Sequence, residues 1–183
     1  MKFSWRGVLA SVLAAAVILI SLIASGVFDP KPVGTRQTTL PTTLTVSEAG
    51  QTIRWLDAAL PAGDFSVRGT AVLQSGNPDN GAGLALGRDA EAFVVAVSPL
   101  GYVLVQQAGD PVLPWQPWPH VRPDDTPNEI WIDVHGEEIT VRLNRELLWQ
   151  GNHSLSTRNL GVFGEGFGET AVYTFSTVEI FAP

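Results

Sequence analysis

Short segments of alternating hydrophobic and polar residues, or of β-branched residues, fill the chain from Val46 to its end. Both patterns predict β-strands, and in an alternating segment successive side chains lie on opposite faces, so that one face is buried. Gly, Pro, Asn and Asp separate the segments, as expected for turns. Nine or ten short strands at this spacing predict an all-β fold, a two-sheet antiparallel jelly-roll sandwich. The segments are TIRWLDAAL, DFSVRGTAVLQ, GAGLALG, AFVVAVS, GYVLVQQ, EIWIDVHG, EITVRLN, ELLWQG, LGVFGE and VYTFSTVEIFA.

Two of these segments, EIWIDVHG and EITVRLN, predict neighbouring antiparallel strands joined by a turn at a glycine. In the first, the aliphatic residues share one face, and the opposite face carries Glu129, Trp131, Asp133 and His135. Trp131 is therefore expected on a polar outer face, exposed or half-buried. The pairing also predicts a cross-strand ion pair between Arg142 and either Asp133 or Glu129, worth about 0.2–1 kcal/mol.

The N-terminal region has a different pattern, with no charge over the 22 residues from Gly7 to Phe28. A helix of this length crosses a hydrocarbon core about 30 Å thick, so the segment predicts a transmembrane helix. Because Lys2 and Arg6 precede it, residues 1–6 are expected in the cytoplasm and the rest outside the cell membrane. The alternative is a cleaved signal peptide, supported by the small residues Ala24-Ser25-Gly26, although the apolar run is longer than a typical signal core.

Residues 29–45, DPKPVGTRQTTLPTTLT, are rich in Pro and Thr and lack apolar periodicity. This composition predicts an extended tether between the helix and a folded domain of residues 46–183. The alternative is an irregular arm packed on the domain. As a flexible coil, about 17 residues span only roughly 20 Å, which keeps the domain beside the bilayer and its resident proteins.

Charge and cysteine content exclude several kinds of function. The chain has a net charge of −7, and its residues after Thr45 contain seven Arg, no Lys and seventeen acids. So acidic an exported part argues against nucleic acid and anionic membrane surfaces as partners. Since the chain has no Cys, disulfides, thiolate metal sites and cysteine nucleophiles are also excluded.

The order of the segments over roughly residues 46–183 resembles bacterial concanavalin A-like jelly-roll domains of the laminin-G type. It is also similar to the related domain of keto-disaccharide hydrolases. The similarity rests on the opening strand at Asp64-Phe65, the Gly-Tyr turn at 101–102, Asn128 before a strand, Asn144 in a turn and Gly161-Val162-Phe163. The resemblance implies a fold and leaves the function open, because the same fold serves lectins, glycanases, accessory modules and adhesion domains.

The chain departs from the glucanases that share this fold. Those enzymes carry a Glu-x-Asp-x-x-Glu strand whose carboxylates act as nucleophile and general acid. Here the corresponding stretch is EIWIDVHGEE, in which no second Glu follows Asp133 at that offset and Glu137 lies beyond the turn. The resemblance therefore implies a domain that lacks this catalytic machinery.

The stretch PWQPWPHVRP, residues 114–123, combines four prolines with Trp115, Trp118, His120 and Arg122. Proline cannot donate a ladder hydrogen bond, so the stretch predicts an edge strand or a rigid loop. In an extended chain Trp115 and Trp118 face opposite sides, so that one can anchor in the sandwich while the other is free. Core closure, contact with a protein and contact with a sugar all remain open for these residues.

Two further groups carry candidate chemistry. Trp131, Asp133 and His135 share a strand face, and a His beside a carboxylate can act as a base or bind a metal, although a plain polar surface has the same pattern. Asp79 and Asn80 lie in the Gly-rich loop SGNPDNGAG and are weak candidates for a calcium site. The same residues are also ordinary turn formers, and no other cofactor is indicated.

Together these patterns predict a membrane-anchored, extracytoplasmic binding module without catalytic activity. The first hypothesis is an accessory or structural subunit that contacts membrane or envelope proteins through its tryptophans. The alternative is a domain that binds carbohydrate or cell-envelope polysaccharide, and a third hypothesis is an enzyme acting on glycosides. The short tether favours the first.

Overall fold

The computed structural model describes residues 5–27, 29–47 and 49–183. It begins with one helix, α1 (Trp5–Ala24), whose apolar side chains are largely exposed. Among the described residues this is the one helix long and apolar enough to cross a membrane, and a signal sequence has the same properties. Lys2, used to predict the orientation of the helix, and Phe28, the predicted end of the membrane span, lie outside the described residues.

Among the described residues, thirteen β-strands and one short 3₁₀ helix follow α1. Strands predicted from the alternating pattern are present at nearly the expected bounds, which confirms the all-β fold. The strands are β1 (Thr35–Thr39), β2 (Thr42–Val46), β3 (Gly50–Ala59), β4 (Phe65–Gly76), β5 (Gly81–Leu86), β6 (Phe93–Ser98), β7 (Tyr102–Gln107), β8 (Asp110–Pro117), β9 (Asn128–His135), β10 (Glu138–Leu143), β11 (Glu146–Asn152), β12 (Asn159–Gly166) and β13 (Ala171–Ala182); the 3₁₀ helix is Asp89–Glu91.

The strands form two antiparallel sheets packed as a sandwich. A seven-stranded sheet has the order β1-β13-β4-β9-β10-β11, with β2 also paired to β13, and a six-stranded sheet has the order β3-β12-β5-β6-β7-β8. The inward-facing residues of both sheets form one apolar core, because alternate positions of each strand point inward. Its largest buried members include Phe65, Phe93, Phe175, Ile130 and Ile132.

The segment predicted as a tether is in part a component of the sandwich. β1 and β2 run one after the other along β13, and Leu44 and Val46 of β2 are buried in the core. The compact unit that contains both sheets begins at Pro32. This pairing corrects the prediction of a free tether through Thr45, and the cause is visible in TTLTV, where β-branched threonines alternate with apolar residues as in a half-buried strand.

The sandwich has two ends, named here the cavity end and the attachment end. At the cavity end, β4 and β6 finish and β5, β7 and β13 begin. At the attachment end, β4 begins, β13 finishes, and β1 begins opposite Ala182. With about 3.3 Å per residue, the twelve residues of β13 put roughly 35 Å between the two ends.

Candidate functional site

The outward face of the six-stranded sheet is apolar. Ala85, Val94, Ala96, Leu104 and Phe163 form a buried cluster there, separate from the core between the sheets. Three larger side chains pack against this cluster, namely Ile53, Trp55 and Trp115. This sheet face therefore carries a second, smaller apolar cluster outside the core of the sandwich.

Trp115 crosses this face from the edge strand β8. Its indole Nε1 donates a hydrogen bond of 2.7 Å to Oε2 of Glu165 on β12, and its ring lies over Gly81 on β5. In a flat sheet β8 and β12 would be four strand spacings apart, or about 19 Å. The six-stranded sheet must therefore curl over its outward face, in agreement with the register shifts between β7 and β8.

A cavity of about 410 Å³ opens beside Trp115 at the cavity end. Its lining is mainly apolar and aromatic, and comes from loops and strand ends far apart in sequence: Asp79, Ser98, Leu100, Tyr102, Trp115 and Phe167. Phe167 is 53% exposed and Tyr102 is 39% exposed. The rings of Trp115 and Phe167 meet edge to face, with centroids 6.5 Å apart and planes at 71°. The site thus presents aromatic surface to solvent at the wall of a cavity.

Asn80 fixes the loop that carries Phe167. It is fully buried, its Oδ1 accepts the Phe167 N–H at 2.9 Å, and its Nδ2 donates to the Glu169 carbonyl at 2.5 Å. The hydroxyl of Tyr173 donates to the Asn80 carbonyl, and burial raises the pKa of that phenol. Asn80 therefore has a structural role in the loop at the cavity.

Asp79, next to Asn80, is exposed and is one of the residues that line the cavity. Its backbone N–H donates to Oδ1 of Asn77 at 3.0 Å, which fixes the turn. Within the described parts of the chain, no salt bridge involves Asp79 and no group of three or more acidic or histidine side chains is arranged to hold a metal ion. The calcium site suggested for Asp79 and Asn80 lacks support from Asn80, whose side-chain oxygen is already hydrogen-bonded.

The other candidate residues of PWQPWPHVRP, namely Trp118, His120 and Arg122, lie away from the cavity that Trp115 lines. β8 is an edge strand and continues into a loop, as the prolines predicted. Trp118 packs against the core between the sheets, so the two tryptophans do face opposite sides. His120 and Arg122 are exposed in the loop, where their carbonyls accept hydrogen bonds from Asn144 and Asn128. Neither lines the cavity.

Trp131 and Asp133 are buried on the outer face of the seven-stranded sheet. Trp131 is 2% exposed, so the prediction of an exposed or half-buried ring is wrong. The guanidinium carbons of Arg68 and Arg142 lie 4.6 Å and 6.0 Å from its ring centroid and cover it. Long cationic side chains can shield an aromatic face in this way, which strand parity does not reveal.

Asp133 is the acceptor at the centre of this cluster. Its Oδ1 accepts from Ser66 Oγ at 2.5 Å and from Trp131 Nε1 at 2.6 Å, and its Oδ2 accepts from Arg142 at 2.5 Å. The predicted ion pair with Arg142 is thereby confirmed. Asp133 is buried and both of its oxygens accept hydrogen bonds within the protein, so this carboxylate is not presented to a ligand.

His135 lies apart from Trp131 and Asp133, at the attachment end. Its Nδ1 is 3.1 Å from Oδ2 of Asp64, and both side chains are about half exposed. The hydrogen bond from His135, together with one from the Gly136 N–H, lowers the pKa of the Asp64 carboxyl. Asp64 also lines a second, polar cavity of about 230 Å³ with Glu137 and Arg158 among its walls.

Sequence reasoning found Trp115 and Asp79 but missed Tyr102 and Phe167. The walls of the cavity come from four separated segments, and no local pattern brings these together. The sequence did contain one signal for Phe167, which lies between two glycines in GEGFGE. Glycines have no side chain to cover the Phe167 ring, so this pattern indicates an exposed aromatic residue.

No family model matches the sequence, and no curated protein matches it. Solved structures do match in shape. The carbohydrate-binding module CBM66 from Bacillus subtilis has a TM-score of 0.52 and 12% identity, and the match covers 80% of this chain and 95% of that one. The Emp46p carbohydrate recognition domain in its metal-free form has a TM-score of 0.55 and 8% identity, with 78% and 87% covered. Apo Crh5 transglycosylase has a TM-score of 0.57 and 12% identity, with 84% and 88% covered.

At these identities the likeness concerns the fold. The neighbours are sandwich domains of carbohydrate-binding and glycosidase-type proteins, which is consistent with the concanavalin A-like fold expected from the sequence.

Proposed function

We propose that the chain is a non-catalytic carbohydrate-binding module whose ligand occupies the cavity beside Trp115. The observation that carries this proposal is the combination of three aromatic side chains, Trp115, Tyr102 and Phe167, with one carboxylate, Asp79, around a cavity of about 410 Å³. The C–H faces of a sugar ring pack on aromatic rings, and its hydroxyl groups donate to a carboxylate. A mostly apolar cavity with few polar groups is typical of ligand sites.

Rigid placement of the aromatic side chains supports binding. Glu165 holds the indole of Trp115 by the hydrogen bond to Nε1, and Asn80 holds the backbone of Phe167. Side chains fixed before the ligand arrives lose little conformational entropy when it binds. The cavity therefore does not have to be assembled by the ligand.

The carboxylates support binding rather than glycoside hydrolysis. Hydrolysis by the usual mechanism requires two carboxyl groups that flank the scissile bond. Among the described residues that line the cavity, Asp79 is the one acidic side chain. Glu165, which contacts Trp115, accepts hydrogen bonds from Trp115 and Gln51.

A protein-docking surface formed by both tryptophans has less support. Trp118 packs into the core and Trp115 packs on the curled outer face, so the two rings do not form one surface patch. In the proposal, α1 stays in the cell membrane with the N-terminus inside, and the sandwich binds glycan on the outer side.

The test is a glycan array probed with the full-length chain in a detergent that has no sugar headgroup. We expect retention on a defined set of glycans, and Trp115→Ala should weaken that binding roughly tenfold or more. Leu147→Ala is the matched control, because Leu147 is an exposed apolar residue that does not line the cavity. Binding to no glycan, or equal binding by Trp115→Ala, would show that the proposal is wrong.

A further inference from the structure

We infer that the ligand of this cavity carries a protonated amine on its sugar ring, so that the site selects amino sugars over neutral and acidic ones. This inference rests on the proposed function and adds the chemical class of the ligand.

The ring geometry suits a cation. Trp115 and Phe167 stand nearly perpendicular, with planes at 71° and centroids 6.5 Å apart, and Tyr102 lines the same cavity. An aromatic face carries negative electrostatic potential, so a cation placed among several rings is attracted by each of them. Neutral hydroxyl groups gain no such attraction.

The hydrogen bond of Trp115 strengthens this effect. Its Nε1 donates at 2.7 Å to the carboxylate of Glu165. Donation to an anion shifts electron density into the indole ring, because linked hydrogen bonds polarise one another. The face of the Trp115 ring thereby becomes a better partner for a positive charge.

The charge of the cavity lining also favours a cationic ligand. Asp79 is the one ionisable carboxylate among the described lining residues, and no Lys, Arg or His lines the cavity with it. Asp79 also makes no salt bridge within the described parts of the chain. An ammonium group would therefore find an available anion beside the aromatic rings, whereas a uronic acid would meet an uncompensated negative charge.

The experiment compares three β-1,4-linked hexamers that differ at one substituent, namely the hexamers of glucosamine, N-acetylglucosamine and glucose. Binding to the full-length chain is measured by calorimetry in a detergent without sugar. We expect the glucosamine hexamer to bind at least about tenfold more tightly than either of the others. Raising the pH until its amine is neutral should remove this preference.

Two variants separate recognition in the cavity from a general attraction of an acidic protein for a polycation. Asp79→Asn should abolish the preference, so that the glucosamine hexamer binds no more tightly than the glucose hexamer. Asp89→Asn, which removes one acid in the exposed 3₁₀ helix at the attachment end, should keep the preference. The melting temperature of each variant shows that it is folded.

The outcomes are distinct. Equal binding of the three hexamers overturns the inference and leaves the proposed function intact. A preference that survives in Asp79→Asn also overturns it, because the attraction then does not come from the cavity. If none of the hexamers binds, the inference is wrong, and the glycan array decides the proposed function separately.

Discussion

Oδ1 of Asn80 lies 2.9 Å from the backbone nitrogen of Phe167, although 87 residues separate the two in the sequence. The same side chain donates to the carbonyl of Glu169, so that one buried amide holds both ends of a short loop. A polar group buried in this way specifies the position of an exposed aromatic ring.

Asn80→Ala should lower the free energy of unfolding by about 1–3 kcal/mol, because it leaves the partners of the amide without hydrogen bonds. It should also weaken glycan binding, since Phe167 is no longer held in place. Chemical denaturation and calorimetry measure the two effects. Asn152→Ala, at an exposed position, is the control and should change neither. Full stability in Asn80→Ala would contradict the assigned role.

Gly81→Ala tests the position of the Trp115 ring. A Cβ at residue 81 would lie 2.3 Å from the ring carbon Cη2, so the ring must move. We expect a loss of about 1–3 kcal/mol in stability and a clear loss of affinity for glycan. Gly63→Ala is the matched control, because a Cβ there meets nothing within 4 Å. Unchanged binding by Gly81→Ala would mean that this orientation of Trp115 is not needed for the ligand.

Asp133→Ala should be the most destabilising of these variants, by about 3–5 kcal/mol, because it leaves the guanidinium of Arg142 and the indole N–H of Trp131 without their acceptor. The cavity is on the other sheet, so ligand affinity measured on the folded fraction should stay the same. Asp125→Ala, at an exposed acid, should have almost no effect on stability. A drop in affinity for Asp133→Ala would instead implicate this cluster in binding.

The Asp64 carboxyl should titrate below its usual pKa of 3.8, because His135 and the Gly136 N–H stabilise its charged form. Since the folded state has the lower pKa, the interaction stabilises the fold above the usual value and is lost as the pH falls through the pKa of folded Asp64. His135→Ala should move the pKa back toward the usual value. NMR titration of the carboxyl carbon checks the direction of both changes.

The position of the domain boundary can be tested with two fragments. Residues 32–183 keep β1 and β2, whereas residues 46–183 lose the pairing of both with β13 and the burial of Leu44. We expect the shorter fragment to unfold at a distinctly lower temperature or to aggregate, because the freed edge of β13 exposes unpaired backbone groups. Equal stability of the fragments would support the original prediction of a tether through Thr45.

Periodicity and β-branched composition were sufficient to predict most strands, including β5 and β6, which are buried on both faces. They failed for β1, in which TRQTT has no buried apolar residue and is a strand only through its pairing with β13. β2 offers two buried apolar positions, too few to stand out among prolines and threonines. In both cases tertiary pairing decides the structure.

The candidate site was harder to predict than the fold. Parity correctly put Trp131 and Asp133 on an outer face, but burial there depends on the side chains of Arg68 and Arg142, which reach over from neighbouring strands. The cavity could not be predicted because it depends on the curl of the six-stranded sheet, which brings Trp115 to Glu165. Curvature depends on bulges and on pairing between distant strands, so no single segment encodes it.

The chain joins the sandwich at the end opposite the cavity, and this has a mechanical consequence. When a bound polysaccharide holds the cavity end and the segment before Pro32 is held, tension runs along the strands. β1 then tends to slide along β13 in shear, which loads its hydrogen bonds together rather than opening them one by one. The ion pair of Arg36 with Glu179, at 2.8 Å, resists the same sliding motion. Under the proposed function, a load between the membrane and the bound glycan would act on β1 in this direction.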